Sequence, residues 1–273
     1  MIKTCKKKGK YNFKDARYLD LLKCNVFNSR DVTCGGKPMT FFGLLDNKRF
    51  FAKEFSGDTA KDAMILHECL PVFGLKQLEN YQVVKFDYIC RKVDKKTSTW
   101  INNCKWNKTD DVTDYIICDV FDGRNITKHD LEADVVTGNW KQSPSVFFEF
   151  IYIALYRHVF QSTDFAYANV MINHKRELLS VDMGNIFKKK DIFGNFKTKD
   201  NIPRLRDHEF ICNLFARFYQ GREAKIAKIQ ETMLKYGYDV EAAAKCVQTY
   251  KDMMNIYENE LNKATLEKLH KTQ

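Results

Sequence analysis

The chain has 273 residues, of which 44% are hydrophobic and 14% aromatic, with only 12 glycines and 4 prolines. This length and composition exclude a disordered chain and fit one large domain or two modest ones. The formal net charge of +10 keeps nucleic acid, phosphate ligands and acidic surfaces open as partners. The basic residues are scattered, however, and the sequence contains no recognised nucleic-acid module.

The cysteine pattern indicates a reducing compartment. The nine cysteines form no Cys-x-x-Cys pair, and several lie inside apolar runs, as Cys90 and Cys118 do. Buried thiols are therefore favoured over disulfides or zinc ligands. No apolar stretch reaches the length of a membrane span, and no apolar segment follows the basic N-terminus as in a signal peptide. We expect a cytoplasmic protein, in the host cytoplasm if a virus encodes it.

The first 123 residues are predicted to form mainly strands. A short strand is expected within 24–29, and "TFFGLL" and "RFFAKEF" flank a polar turn, which predicts a β-hairpin. Helical spacing follows from residue 56 and ends before Pro71. Two more strands are predicted at 82–93 and 114–121, and the polar stretch 94–111 between them is predicted to be a long loop or a hairpin tip.

From residue 124 the pattern becomes mainly helical. Thr127 and Asp130 resemble a capping box, and Ser143 with Pro144 predicts the start of an apolar helix that ends at residue 160. Two short strands around "NHKRE" and three helices within 205–269 complete the chain. The prediction is an α+β chain, with a β-rich domain at 1–123 that includes one helix and an α-rich domain at 124–273.

Three polar side chains stand between apolar runs in "STDFAYANVMI" (162–172) and "LLSVDMGNI" (178–186). If the chain leaves a helix near Phe160, follows a strand, turns and returns, then Asp164, Asn169 and Asp182 converge. An amide oxygen and a carboxylate suit Mg²⁺, which leaves room for phosphate oxygens. The remaining Asp could orient, or take a proton from, an attacking hydroxyl. The alternative is that Asp164 and Asn169 are ordinary turn residues.

The order and spacing of these residues resemble the catalytic core of the protein-kinase-like superfamily. That pattern has a catalytic-loop Asp, an Asn five residues later, and then the Asp of an Asp-Phe-Gly triplet. The resemblance implies that Asp164 is the catalytic residue, that Asn169 and Asp182 bind metal, and that Gly184 closes the triplet. It also implies ATP and Mg²⁺ as cofactors.

The N-terminal half carries the other parts of the resemblance. Lys53, in an Ala-Lys context after a hairpin, would grip the α- and β-phosphates, and Glu68 on the following helix would pair with it. Gly35 and Gly36 would give backbone N–H groups to phosphate.

The stretch "IICDVFDG" (116–123) occupies the place of the family's inter-lobe hinge. Main-chain groups near Asp119 and Val120 would then contact adenine.

The resemblance implies a bilobal kinase-like fold and a phosphotransferase, with a protein serine or threonine as the acceptor. The sequence departs from the family at Ser162-Thr163, which replace His-Arg, and at Met183 in the triplet. These departures resemble HipA-type toxin kinases, lipid kinases and aminoglycoside-phosphotransferase-like enzymes. Three alternatives stay open: a small-molecule kinase, a pseudokinase that serves as an interaction module, and a basic nucleic-acid binder.

Overall fold

The computed structural model describes residues 13, 16–19, 25–27, 40–55, 57–90, 106–141, 145–162, 165–187 and 208–271. These residues contain strands β1 (Arg17–Leu19), β2 (Asn25–Phe27), β3 (Thr40–Leu45), β4 (Lys48–Phe55), β5 (Gln82–Cys90), β6 (Trp106–Asp119), β7 (Arg124–Asn125), β8 (Val170–Ile172) and β9 (Leu178–Ser180). They also contain helices α1 (Gly57–Cys69), α2 (Lys128–Val136), α3 (Val146–Val159), α4 (His208–Tyr219), α5 (Arg222–Lys235) and α6 (Val240–Lys271). The predicted α+β character is therefore present in the described part of the chain.

The chain divides into two compact units. The first comprises residues 1–64 and 78–122, and the second comprises residues 65–77 and 123–273. The first unit contains strands β1–β6 and the beginning of α1, whereas the second contains the end of α1, helices α2–α6 and strands β7–β9. The predicted domain division at 123/124 and the bilobal arrangement stay predictions.

A six-stranded sheet forms the first unit, with the order β1-β5-β6-β4-β3-β2. β1 is parallel to β5, and the other neighbours are antiparallel. Asp46 and Asn47 connect β3 to β4 and have φ angles of 51° and 61°. A two-residue hairpin turn with both residues left-handed fits the twist of the strands, and Asp and Asn tolerate that conformation. The predicted hairpin is confirmed.

Strand β6 begins earlier than the sequence pattern indicates. The stretch 94–111 is predicted to be a long loop or a hairpin tip. β5 and β6 are antiparallel neighbours, as the hairpin alternative requires, but β6 starts at Trp106 and pairs with β5 at positions such as Tyr88 with Lys108. Residues 106–111 therefore belong to a strand and not to the connection. Backbone hydrogen bonds between two strands do not require apolar side chains, so the polar residues of 106–111 gave no strand signal.

Small residues allow α1 to pack against the sheet. Ala60 and Ala63 are fully buried in a cluster with Phe55 of β4, Val83 of β5 and Ile116 of β6. The face of β4 that carries Phe55 is therefore the face that α1 covers. Because side chains alternate along a strand, Lys53 belongs to that same face.

Helix α3 forms the centre of the second unit. Twelve of its 14 residues are buried, and the hydroxyl of Tyr152 donates to the Phe73 carbonyl at 3.0 Å. The N–H of Phe148 donates to Ser145 Oγ at 3.0 Å, so the helix is capped by Ser145 and not by the predicted Ser143, which lies outside the described residues. Asp134 Oδ2 also accepts a hydrogen bond from Phe147 N–H at 2.9 Å, a tertiary contact that the local sequence does not encode.

The three predicted C-terminal helices are confirmed as α4, α5 and α6. Lys225 of α5 is 2% exposed, and its Nζ donates to the carbonyls of Arg217 and Phe218 at 3.0 and 2.8 Å. These carbonyls lie in the last turn of α4, where a cation also meets the negative end of the helix dipole. Burial, reinforced by the charge of Arg217, lowers the pKa of Lys225 to about 8.

The helices were compared with the length and apolarity that a membrane span requires. Among the described residues, no helix is both long enough and apolar enough to cross a membrane.

A substitution in β3 tests the packing of the sheet. A Cβ atom on Gly43 would lie 2.5 Å from the ring of Phe50, which is 4% exposed. We expect Gly43→Ala to lower the free energy of unfolding by about 1–3 kcal/mol, because the buried ring has to move. Chemical denaturation measures this loss. In a Phe50→Leu background the same change should cost less, and equal costs in both backgrounds would contradict the packing described.

Candidate functional site

The β8–β9 hairpin brings two of the predicted site residues together. Val170 pairs with Ser180, and Val181 N–H donates to the Asn169 carbonyl at 2.9 Å, which extends the pairing by one residue. Paired strands lie about 5 Å apart. Asn169, immediately before β8, and Asp182, two residues after β9, therefore lie at the same end of this hairpin, as the sequence predicted for them.

The turn at the other end fixes the register of the hairpin. Asn173 Oδ1 accepts hydrogen bonds from the N–H groups of Lys175 and Glu177, both at 2.9 Å. Arg176 has a φ of 62°, and its guanidinium donates to Asp134 Oδ1 at 2.6 Å. A slip of one residue would reverse the face of every side chain in β9. The turn thus helps to keep Asp182 at the same end as Asn169.

The segment after α3 is joined to the segment after β9. Ser162 is fully buried, and its Oγ donates to the Gly184 carbonyl at 3.1 Å. Phe187 N–H donates to the Phe160 carbonyl, also at 3.1 Å. Gly184, the last residue of the Asp-Met-Gly triplet, and Phe187 beyond it are therefore anchored beside the chain that leads to residue 164.

The triplet segment has an unusual backbone. Asp182, Asn185 and Phe187 all have left-handed φ angles, of 51°, 60° and 62°. Asp and Asn tolerate this region, whereas a bulky residue such as Phe is an outlier there. The ring of Phe187 packs against that of Tyr238 with centroids 5.9 Å apart, and Lys245 Nζ lies 4.8 Å from its centroid. Such conformations persist where the surroundings hold them, and they concentrate at functional sites.

Asn169 and Asp182 differ in exposure. Asn169 is 8% exposed, whereas Asp182 is exposed. In the part of the chain that the structure describes, no group of three or more His, Cys, Asp or Glu residues could hold a metal ion. An amide with one carboxylate is a smaller donor set, of the kind that Mg²⁺ uses together with phosphate oxygens and water. The predicted catalytic residue Asp164 lies outside the described residues, so its role stays a prediction.

Lys53 lies in the middle of the large sheet. It pairs with Thr40 of β3 on one side and with Ile116 of β6 on the other. Its side chain is half-buried, and Nζ lies 5.2 Å from the ring centroid of Phe55. It therefore occupies the face that α1 covers, which is the face required if it is to meet that helix. Its contact with phosphate stays a prediction.

Glu68, near the end of α1, has partners that the sequence did not indicate. Lys235 Nζ donates to its two carboxylate oxygens at 2.8 and 2.9 Å, and the hydroxyl of Tyr236 also donates to it. Both partners come from the end of α5, more than 160 residues along the chain. The expected pairing of Glu68 with Lys53 stays a prediction.

The predicted adenine-binding strand end is hydrogen-bonded within its own unit. Asp119 N–H donates to the Glu79 carbonyl at 2.9 Å, and Val120 N–H donates to the Arg49 carbonyl at 3.4 Å. Asp119 Oδ2 accepts a hydrogen bond from Asn80 Nδ2 at 2.8 Å. Both backbone donors therefore already have acceptors. The predicted phosphate-binding residues Gly35 and Gly36 lie outside the described residues.

The sequence reading missed Arg157. This residue lies in the last turn of α3 and is fully buried, although the surrounding run is strongly apolar. Its Nε donates to Ser180 Oγ at 3.0 Å, and Nη2 donates to the Val181 carbonyl at 2.5 Å. A charged residue inside an apolar helix was the available signal, since such a residue is rarely buried unless it is hydrogen-bonded.

A comparison with solved structures gives a weak likeness. No family model and no curated protein matches the sequence. Among solved structures, the chain is similar to the crystal structure of a Helicobacter pylori proinflammatory kinase, CtkA, with a TM-score of 0.45 and 8% sequence identity. The match covers 89% of this chain and 98% of that kinase. So low a TM-score does not establish a common fold.

Removal of one hydroxyl tests the connection beside the triplet. We expect Ser162→Ala to lower the free energy of unfolding by roughly 1–3 kcal/mol, because the buried Gly184 carbonyl loses its donor. Denaturant unfolding measures the effect. Thr137→Ala is the control, since Thr137 is exposed and its hydroxyl also bonds a carbonyl, that of Ala133, at 3.0 Å. It should cost about 0.5 kcal/mol or less. Equal costs would contradict the buried contact.

Proposed function

We propose that this chain is an ATP- and Mg²⁺-dependent phosphotransferase that transfers the γ-phosphoryl group to a hydroxyl, with a protein serine or threonine as the acceptor. The observation that carries the proposal is that Asn169 and Asp182 stand at the same end of the β8–β9 hairpin, where Val181 N–H bonds the Asn169 carbonyl. Two oxygen donors from adjacent chain segments suit a Mg²⁺ ion that keeps phosphate oxygens among its ligands.

The proposed roles follow the chemistry of each side chain. Asn169 and Asp182 would hold Mg²⁺, whose charge would neutralise the phosphate oxygens during transfer. Asp164, which follows the anchored Ser162 by two residues, would orient the acceptor hydroxyl and accept its proton. Lys53 would contact the α- and β-phosphates as a point charge. Most of the rate enhancement would then come from positioning and charge neutralisation.

The remaining assignments would complete nucleotide binding. Gly35 and Gly36 would present backbone N–H groups to phosphate, and Glu68 would exchange its present partners for Lys53. At Asp119 and Val120 both N–H groups have acceptors already, so adenine would have to meet their carbonyl oxygens.

A pseudokinase is the second candidate, because the sequence has Ser162-Thr163 where active protein kinases have His-Arg. Such a chain would bind Mg-ATP and present a surface to a partner without transferring phosphate. The two candidates differ in turnover and not in nucleotide binding.

A charge-only substitution at Asp182 tests the proposal. Asp182→Asn keeps the size of the side chain and tolerates the φ of 51°, but it removes the carboxylate that would bind Mg²⁺. We expect Asp182→Asn to lower ATP turnover roughly hundredfold or more, because several kcal/mol of transition-state stabilisation would be lost with the metal ligand. Phosphate release and phosphorylation of a mixed protein substrate, each with Mg-ATP, measure the effect.

The matched control is Asp46→Asn, since Asp46 is exposed and has the same φ of 51° in the β3–β4 turn. This variant should keep wild-type turnover. Wild-type binding of Mg-ATP without turnover would favour the pseudokinase. Wild-type protein that neither binds nor hydrolyses ATP would end both candidates, and equal activity of Asp182→Asn and wild type would exclude Asp182 as a metal ligand.

A further inference from the structure

Arg157 is a fully buried cation that is hydrogen-bonded to the two residues immediately before Asp182. Its Nε donates to Ser180 Oγ at 3.0 Å and its Nη2 to the Val181 carbonyl at 2.5 Å. Ser180 is itself 2% exposed. The fork of a guanidinium fixes direction as well as distance, because its donors are coplanar. The end of β9 is therefore held in one orientation at the point where the chain turns toward Asp182.

The same residue contacts the segment on the other side of the site. The Arg157 carbonyl accepts a hydrogen bond from Ser162 N–H at 3.1 Å, and its guanidinium carbon lies 5.7 Å from the ring centroid of Phe165. Cation–π contacts at this distance are attractive and gain strength when the pair is desolvated. Ser162 and Phe165 flank residues 163 and 164, so Arg157 contacts both segments that carry the proposed site residues.

The burial of the Arg157 cation suggests a role other than stabilising the core by packing. A charge removed from water destabilises the fold unless hydrogen bonds compensate, and an apolar side chain of similar volume often serves stability equally well. Its position in the last turn of α3 recovers part of that cost, since the helix dipole favours a cation there. An apolar residue at position 157 could not donate hydrogen bonds to both Ser180 and Val181, as Arg157 does.

We propose that Arg157 is a positioning residue for the metal site: by holding Ser180, Val181 and Phe165, it sets the orientation in which Asp182 joins Asn169 on one Mg²⁺ ion. The inference rests on the proposed function. Arg157 contacts neither substrate nor metal. It acts through the backbone of Val181, whose N–H bonds the Asn169 carbonyl and whose own carbonyl accepts the hydrogen bond from Arg157.

The Mg²⁺ dependence of ATP binding separates positioning from stability. Arg157→Lys keeps a positive charge but loses the planar fork, so the Mg²⁺ concentration at half-maximal ATP binding should rise about 10–100-fold, as for other groups that orient metal ligands. Saturating Mg²⁺ should restore binding. Ser180→Ala removes one contact of Arg157 and should shift the Mg²⁺ dependence in the same direction, but less. It supplies the test if Arg157→Lys does not fold.

The control is Lys225→Met, which removes another buried cation of the second unit. It should lower the melting temperature and leave the Mg²⁺ dependence unchanged, because Lys225 donates hydrogen bonds to the end of α4 and packs over the rings of Phe73 and Phe218, none of which belongs to the segments that carry Asn169 and Asp182. Folded Arg157→Lys and Ser180→Ala with wild-type Mg²⁺ dependence would overturn the inference while the proposed function stands. Wild-type protein that fails to bind ATP at any Mg²⁺ concentration would instead overturn the proposed function, and the inference with it.

Discussion

One backbone hydrogen bond, from Val181 N–H to the Asn169 carbonyl at 2.9 Å, is the constraint on which the candidate site depends. It extends the β8–β9 pairing by one residue and so holds the exposed Asp182 and the buried Asn169 at one end of the hairpin. β8 and β9 contain only three residues each, so their own ladder is weak. The surrounding contacts therefore determine whether Asn169 and Asp182 can share a ligand.

Those contacts come from α3 and the chain after it. Helix α3 is almost entirely buried, which makes it a rigid support for Arg157 and, beyond its end, for Ser162. Their bonds to Val181 and Gly184 hold a segment with left-handed residues at positions 182, 185 and 187. Left-handed backbone conformations cost free energy, and they persist because the rigid surroundings hold the segment in place. Ligand-binding side chains presented in this way need little rearrangement on binding.

The sequence predicted the features that depend on neighbouring residues. The β3–β4 hairpin followed from two aromatic runs around a polar turn, and the placement of Asn169 and Asp182 at one end of a hairpin followed from two short strands around a polar turn. Features that depend on distant residues were not predictable. The carboxylate of Glu68 is bound by Lys235 and Tyr236 of a much later helix end, and the fork of Arg157 finds Ser180 and Val181 only in the folded unit. The start of strand β6 was not predicted because residues 107–111 are polar, and backbone pairing between strands does not require apolar side chains.

A crystal structure of the chain with Mg²⁺ and a non-hydrolysable ATP analogue tests the central claim most directly. The account predicts one Mg²⁺ ion at about 2.0–2.1 Å from both Asn169 Oδ1 and a carboxylate oxygen of Asp182, with phosphate oxygens among its other ligands. Lys53 should contact the α- and β-phosphates in the same complex. Nucleotide and metal bound elsewhere, with Asn169 and Asp182 bonded only to protein or water, would contradict it.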